Sequence, residues 1–186
     1  MRPEQGFPLR LLVPGFEGNM NVKWLRRLEL GDQAWWTRSE VSEYADPMFD
    51  NKTQAFSFEM LAKSVITTPS GGMHLADRGY HEISGLAWSG RGTVARVEVS
   101  TDGGASWADA QIQGPALPKC HTRFRFPWTW TGKESILQSR VTDDSGYRQP
   151  TLAELRKIQP TGANHNNAIQ SWKVARDGVI SNVHHV

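Results

Sequence analysis

The residues best placed to do chemistry are Arg10 and Lys23, which flank a loop punctuated by Gly15 and Gly18 in the stretch GFPLRLLVPGFEGNMNVKWL, residues 6–25. A guanidinium offers a fork of donors to a phosphate or carboxylate, an ammonium adds a point charge, and glycines let backbone N–H groups approach a ligand. The pattern therefore fits an anion grip. It fits also a strand, a turn and a second strand carrying surface cations, which periodicity alone favours, and the residues leave both readings open.

Other reactive groups carry less. Cys120 is the single cysteine, so the chain holds no internal disulfide and no thiolate cage for a metal. Lying in Lys-Cys-His-Thr at the start of an apparent strand, it reads as a small packing residue, and the adjacent His121 would point to the opposite face. Glu82, Glu98 and the pair Asp143-Asp144 lack the spacing of an acid/base couple and read as solvated, while His184 and His185 read as a frayed terminus. No GxSxG, P-loop, HExxH, CxxC or dinucleotide fingerprint occurs.

Charge narrows the function class. The 186 residues carry 21 Lys and Arg against 19 Asp and Glu, with no run of like charges, so neither a nucleic acid nor a membrane surface is an expected partner. No stretch approaches the roughly 20 apolar residues of a membrane helix, and the N-terminus lacks the charged-then-apolar pattern of a secretory leader.

The elements that must position Arg10 and Lys23 begin with Leu-Arg-Leu-Leu-Val (9–13), whose apolar run predicts a strand covered on both faces. Residues 22–30 alternate as a half-buried strand does, and Thr37-Arg-Ser-Glu40 is a capping box opening a polar helix to about Tyr44. Residues 46–55 read as an exposed linker and place a domain boundary there, giving domains 1–55 and 56–186. Beyond it the chain changes to short strands at regular spacing: 61–68, 80–88, 93–100, 106–113, 121–131, 135–142 and a final strand at 168–175, with helical turns at 151–158. Ala95, Val97 and Val99 alternate with Arg96 and Glu98, and Asp102-Gly103-Gly104 supplies a hairpin turn. Phe124, Phe126, Trp128 and Trp130 share one face, which suits a core, a subunit interface or a sugar-stacking platform, and Pro127 argues for an edge strand or a bulge. The expected fold class is mainly β, an antiparallel sandwich preceded by a smaller unit.

Several stretches, taken together and in order, resemble the C-terminal part of the sulfite oxidase family of molybdenum enzymes. They are Gly6-Phe-Pro-Leu-Arg10 with Pro14-Gly15-Phe-Glu-Gly18-Asn-Met-Asn-Val-Lys23-Trp-Leu, then Lys63-Ser-Val-Ile-Thr, Gly85-Leu-Ala-Trp-Ser-Gly90, Arg96-Val-Glu-Val-Ser-Thr-Asp-Gly-Gly, Val141-Thr-Asp-Asp-Ser-Gly-Tyr147 and Asn166-Asn-Ala-Ile-Gln-Ser-Trp172. Gly-Asn-Met-Asn-Val-Lys-Trp-Leu and His165-Asn-Asn-Ala-Ile-Gln-Ser-Trp are most similar to the sulfane dehydrogenase branch. The resemblance implies an immunoglobulin-like dimerisation domain preceded by a remnant of an α+β molybdenum-cofactor domain. It implies that Arg10 and Lys23, with the backbone around Asn21 and Val22, hold the anionic end of a molybdopterin, and that Gln5, standing where sulfite oxidases proper carry a histidine, offers a neutral hydrogen bond. The thiolate that binds molybdenum lies upstream of the matched region, and Cys120 is not its counterpart. An arginine near the family's final strand reaches the substrate pocket; the loop Gln159-Pro-Thr-Gly-Ala-Asn164 has no clean match to it, leaving Arg156 and His165 as stand-ins.

The implied parent is a periplasmic homodimer that contains molybdenum-molybdopterin, oxidises a sulfur compound and passes electrons to a cytochrome c-type acceptor. This chain, lacking the N-terminal cofactor half, is expected to be inactive alone and to hold no cofactor by itself. A self-standing dimerisation or binding module without cofactor is the alternative.

Overall fold

The computed structural model describes residues 1–55, 59–159 and 165–184. The chain divides into two compact units, Met1–Met60 with Arg156–Asn166 and Leu61–Leu155 with Asn167–Val186.

In the first unit the N-cap half of the expected capping box forms. Thr37 Oγ1 accepts the Glu40 N–H at 3.3 Å and opens the helix Arg38–Glu43 (α1), which buries no side chain. The reading of 46–55 as an exposed linker is corrected: Ala45–Pro47 (β1) and Thr53–Ala55 (β2) pair as an antiparallel hairpin with Asp46 opposite Gln54. The Asp-Asn-Lys cluster that suggests a linker is the turn of that hairpin, with the Lys52 N–H donated to Asp50 Oδ1 and Asn51 at φ 59°.

Neither strand expected in the opening stretch joins a sheet. Residues 9–13 and 22–30 lie side by side through two backbone bonds, Leu11 N–H to the Val22 carbonyl at 3.0 Å and Leu25 N–H to the Leu9 carbonyl at 2.9 Å. Leu9, Leu12, Leu28 and Leu30 are exposed, so a strand covered on both faces and a half-buried strand are both corrected. Two paired segments supply an apolar face but nothing to bury it against. Two further contacts, Met60 N–H to the Gly15 carbonyl and the bridge between Phe16 and Glu59, fasten the glycine loop within its own unit.

The second unit is built from the alternating segments. Its strands are Lys63–Thr68 (β3), Gly79–Trp88 (β4), Val94–Ser100 (β5), Ala108–Asp109 (β6), Gln111–Gln113 (β7), Thr122–Trp130 (β8), Ser135–Asp143 (β9), Ser171–Val174 (β10) and Ile180–Val183 (β11), with the short helix Leu152–Arg156 (α2) before β10. They form a four-stranded sheet in the order β3-β4-β8-β7 and a five-stranded sheet in the order β11-β10-β9-β5-β6, every named pairing antiparallel. The expected strand 106–113 is two short strands that join different sheets, and 168–175 is not the last strand, since β11 follows it. Thr151 Oγ1 accepts the Glu154 N–H while the Glu154 carboxylate accepts the Thr151 N–H, a complete capping box that starts α2.

One core lies between the sheets. Ile66, Ile83, Ala87, Phe124, Trp128 and Trp130 come from the first, and Val97, Val99, Leu137, Val141, Val174 and Ile180 from the second. The aromatic row on β8 therefore belongs to the core, and the interface and sugar-platform alternatives fall away for it. A register shift between Val94 and Arg96 turns Val94 inward and leaves Ala95 exposed, which corrects the expected alternation on β5. Pro127 lies within an interior strand, but the pairing with β7 ends at Arg125, so beyond that point β8 has a neighbour only in β4.

Polar residues read as solvated turn out to be engaged. Glu98 is 5% exposed and takes two bonds from Arg140, at 2.7 and 3.0 Å, while Arg96 approaches at 3.2 Å. The Arg140 guanidinium also lies 4.2 Å from the centre of the Trp107 ring. The Arg140 hydrogen bond leads in holding the Glu98 carboxyl below its usual value. Burial pushes the Asp143 carboxyl upward, but donors from Ser145, Ser89 and the Tyr147 N–H outweigh it and bring it below its usual range. Cys120 is exposed in the turn before β8, which corrects its reading as a packing residue. His184 is exposed, and His185 lies outside the described residues.

Candidate functional site

The first unit brings the two cations of the opening stretch together around a glycine. Pro3–Gln5 forms one 3₁₀ turn that ends at Gly6 with φ 109°, a conformation L side chains rarely adopt. A Cβ placed on Gly6 would sit 3.2 Å from Arg10 Cβ, from Lys23 Cα and from Lys23 Cβ. Arg10 and Lys23 thus rise from backbone that converges on one point, although twelve residues intervene in sequence.

Their neighbours fix the backbone and leave the charges accessible. Arg10 Nη1 donates to the Gln5 carbonyl at 3.3 Å, and Lys23 Nζ lies 5.7 Å from the Trp24 ring centre. The Trp24 indole N–H reaches back to the Pro3 carbonyl at 2.8 Å, pinning the 3₁₀ turn to the second arm. The Gln5 side chain accepts the Arg2 N–H at 3.1 Å, so its oxygen is engaged within the turn.

Asn21 organises the loop from inside. Its side-chain oxygen accepts the Val13 N–H at 2.9 Å and its amide nitrogen donates to the Glu17 carbonyl at 3.0 Å. Val22 contributes its carbonyl to the Leu11 N–H, so the pairing that sets Lys23 opposite the first arm runs through it.

Of the two substrate-side candidates, His165 joins this loop. Its Nδ1 lies 3.1 Å from Glu17 Oε1, and its backbone N–H donates to Asp46 Oδ1 at 3.3 Å. Asp46 is 2% exposed on β1, and the His165 side chain is 12% exposed. Arg156 is exposed at the end of α2, and no contact with His165 is seen among the described residues. Of the segment 159–164, only Gln159 lies within the described residues. Glu17 and Asp46 were not legible as partners of His165. Both are separated from it by more than a hundred residues, and neither sits in a motif that would suggest the contact. Gly6 carried a local signal, a glycine before an apolar run, but not its close approach to Lys23.

Two arms bearing cations, packed at their base against a glycine where a Cβ would be tight and φ disfavours any other residue, suit an anion that needs close backbone approach and charge from two directions. The described residues contain no group of three or more His, Cys, Asp or Glu placed to hold a metal ion. No helix among the described residues is long and apolar enough to cross a membrane.

Comparison with known proteins agrees with both units. Residues 1–38 match the model of the oxidoreductase molybdopterin binding domain. The structure is similar to that of the sulfane dehydrogenase SoxCD from Paracoccus pantotrophus, with a TM-score of 0.93 and 50% identity over 98% of this chain and 47% of that one. Mitochondrial sulfite oxidase of Mus musculus is 35% identical over 87% of this chain and 32% of its own length. A nitrate reductase [NADH] of Phaseolus vulgaris is 30% identical over 70% of this chain and 16% of its own. The chain thus spans about a third of the curated sulfite oxidases it matches. Residues 54–172 match the Mo-co oxidoreductase dimerisation domain, and the chain belongs to that family.

Proposed function

We propose that this chain is the C-terminal region of a molybdopterin-dependent sulfur-compound oxidoreductase of the sulfane dehydrogenase kind. Residues 1–55 belong to the cofactor domain, and 56–186 form an immunoglobulin-like domain through which two copies associate. The observation that carries the reading is the convergence of Gly6, Arg10 and Lys23. The residues present fit the group. The pterin's anionic end needs a bidentate donor, a point charge and a side-chain-free approach, and Arg10, Lys23 and Gly6 supply them. Gln5 closes the first arm through its carbonyl, and Asn21 and Val22 set the backbone of the second.

When bound, the molybdenum-pterin centre would supply the two-electron chemistry of sulfur oxidation, with oxygen taken from water. This chain's part is to bind and orient it. Arg156 and His165 are the candidates to face the substrate. The parent works in the periplasm and hands electrons to a cytochrome c-type acceptor, as its similarity to sulfane dehydrogenase suggests. The chain alone, with Cys120 in the sandwich unit and no other thiol, holds no cofactor and is inactive.

In the full-length protein, Arg10→Ala combined with Lys23→Ala is expected to lower pterin and molybdenum content in parallel while light scattering still reports a dimer. Full cofactor retention in that variant sinks the grip. A monomeric parent protein sinks the dimerisation role.

A further inference from the structure

The outward faces of the two sheets treat their cations differently. On the five-stranded sheet the cations carried by its strands each have a carboxylate close by: Arg96 Nε lies 2.6 Å from Asp109, Arg140 Nε 2.7 Å from Glu98 and Lys173 Nζ 2.9 Å from Glu134. On the four-stranded sheet, β8 turns Phe124 and Phe126 to the core and so presents Arg123 and Arg125 outward, because side chains alternate along a strand. Arg125 reaches only Glu82, at 3.4 Å, and both side chains stay about half exposed. Arg123 has no hydrogen-bond or ion-pair partner for its side chain among the described residues.

The register places neutral donors beside these charges. Arg123 stands between Leu86 on β4 and Gln113 on β7, and Ser84 on β4 stands opposite Arg125. Together with Glu82 these side chains line a depression of about 260 Å³. The Ser84 hydroxyl and the Gln113 side-chain amide make no hydrogen bond among the described residues, so both are available to donate into it. Two guanidiniums on one face repel each other, neither can shed its proton, and the single carboxylate at the rim offsets one of the two charges. The depression is left with uncompensated positive charge and with donors converging from three strands.

We propose that the outward face of β4, β8 and β7 binds one compact oxyanion of the sulfate or phosphate class, held by Arg123 and Arg125 with Ser84 and Gln113 as neutral donors. Glu82 selects against anything larger. A chain of negative charges laid across the face would meet its carboxylate, whereas a compact anion seated beside Arg123 and Gln113 does not. The paired N–H donors of a guanidinium match two oxygens of a tetrahedral anion, and the depression is smaller than the roughly 300 Å³ at which pockets begin to bury drug-sized ligands. All of these residues belong to the second unit, so the proposal does not depend on the cofactor reading of residues 5–23.

The test follows the side-chain Nε–H resonances of the full-length protein labelled with ¹⁵N-arginine. Arg123 and Arg125 are assigned by their loss in Arg123→Gln and Arg125→Gln, and Arg140 by its loss in Arg140→Lys. Sodium sulfate then replaces sodium chloride at constant ionic strength and neutral pH. The Arg123 and Arg125 signals are expected to shift together and saturate with one dissociation constant, while Arg140, already engaged by Glu98, stays in place. Sodium phosphate should do the same, and sodium acetate, with a single charge, should need about tenfold more. Arg123→Gln is expected to weaken sulfate binding about tenfold, and Arg123→Lys, which keeps the charge and loses the fork, to weaken it less. Glu82→Gln removes the competing carboxylate and should tighten binding about threefold. Shifts that never saturate, or that Arg140 shares, report only an ion atmosphere and overturn the proposal, as does unchanged or weaker sulfate binding in Glu82→Gln. A hexaglutamate peptide that saturates the same two signals at lower concentration than sulfate would assign the face to an acidic segment and overturn it as well.

Discussion

Substituting Gly6 tests whether the two cation arms are held by geometry or merely lie near each other. Gly6 has φ 109°, and an added Cβ would stand 3.2 Å from Lys23 Cα, a backbone atom that cannot swing aside. Forcing an L residue into left-handed backbone costs about 1–2 kcal/mol, before any contribution from the contact with Arg10 and Lys23. Since 1.4 kcal/mol is a factor of ten, local opening should become about 5- to 30-fold more frequent in Gly6→Ala. The assay is amide hydrogen exchange at Leu11 and Leu25, whose N–H groups bond the Val22 and Leu9 carbonyls across the arms. Gly18→Ala is the control, because a Cβ at Gly18 meets nothing within 4 Å and its backbone is not left-handed; it should change exchange by less than twofold. Unchanged protection in Gly6→Ala, or an equal loss in both variants, would refute the claim that close approach at Gly6 sets the arms.

Two further expectations concern the sandwich. Arg140→Ala removes the bidentate partner of the nearly buried Glu98 and leaves only Arg96, so stability should fall by about 3 kcal/mol, visible as a drop in Tm on the order of 10 °C. A Tm within 2 °C of the parent's, roughly half a kcal/mol, would show that the pair contributes little. Asp102 has its carboxyl lowered to about 2 from 3.8, chiefly by the Ser106 hydroxyl at 2.5 Å. A folded value below the unfolded one means the stabilisation is present above pH 3.8 and is lost as pH falls through about 2. Because the site is exposed, screening limits it to about 1 kcal/mol. Ser106→Ala should therefore lower stability at neutral pH and converge with the parent in acid, as urea denaturation at several pH values would read; an equal deficit at every pH would contradict the linkage.

The architecture of the sandwich was largely present in the sequence. Strands such as Thr122–Trp130 alternate between two environments, and burial of one face of each strand dictates that period whatever the neighbours are. Capping at Thr37 and the glycine turn after Asp102 were legible for the same reason: each depends on residues within a few positions. Errors arose where alternation has nothing to pack against, as at Leu28 and Leu30, or where a register shift reverses it, as at Ala95.

The candidate site divides along the same line. The sequence by itself determined which groups are available, two cations and a glycine-broken loop, because side-chain chemistry and backbone freedom are properties of single residues. Only the tertiary structure decided that Gly6 lies against Lys23, that Asn21 is consumed by the loop, and that Glu17 and Asp46 close on His165 from far along the chain. Those contacts depend on where the backbone of one unit closes on itself, a property of the whole chain that no local spacing encodes.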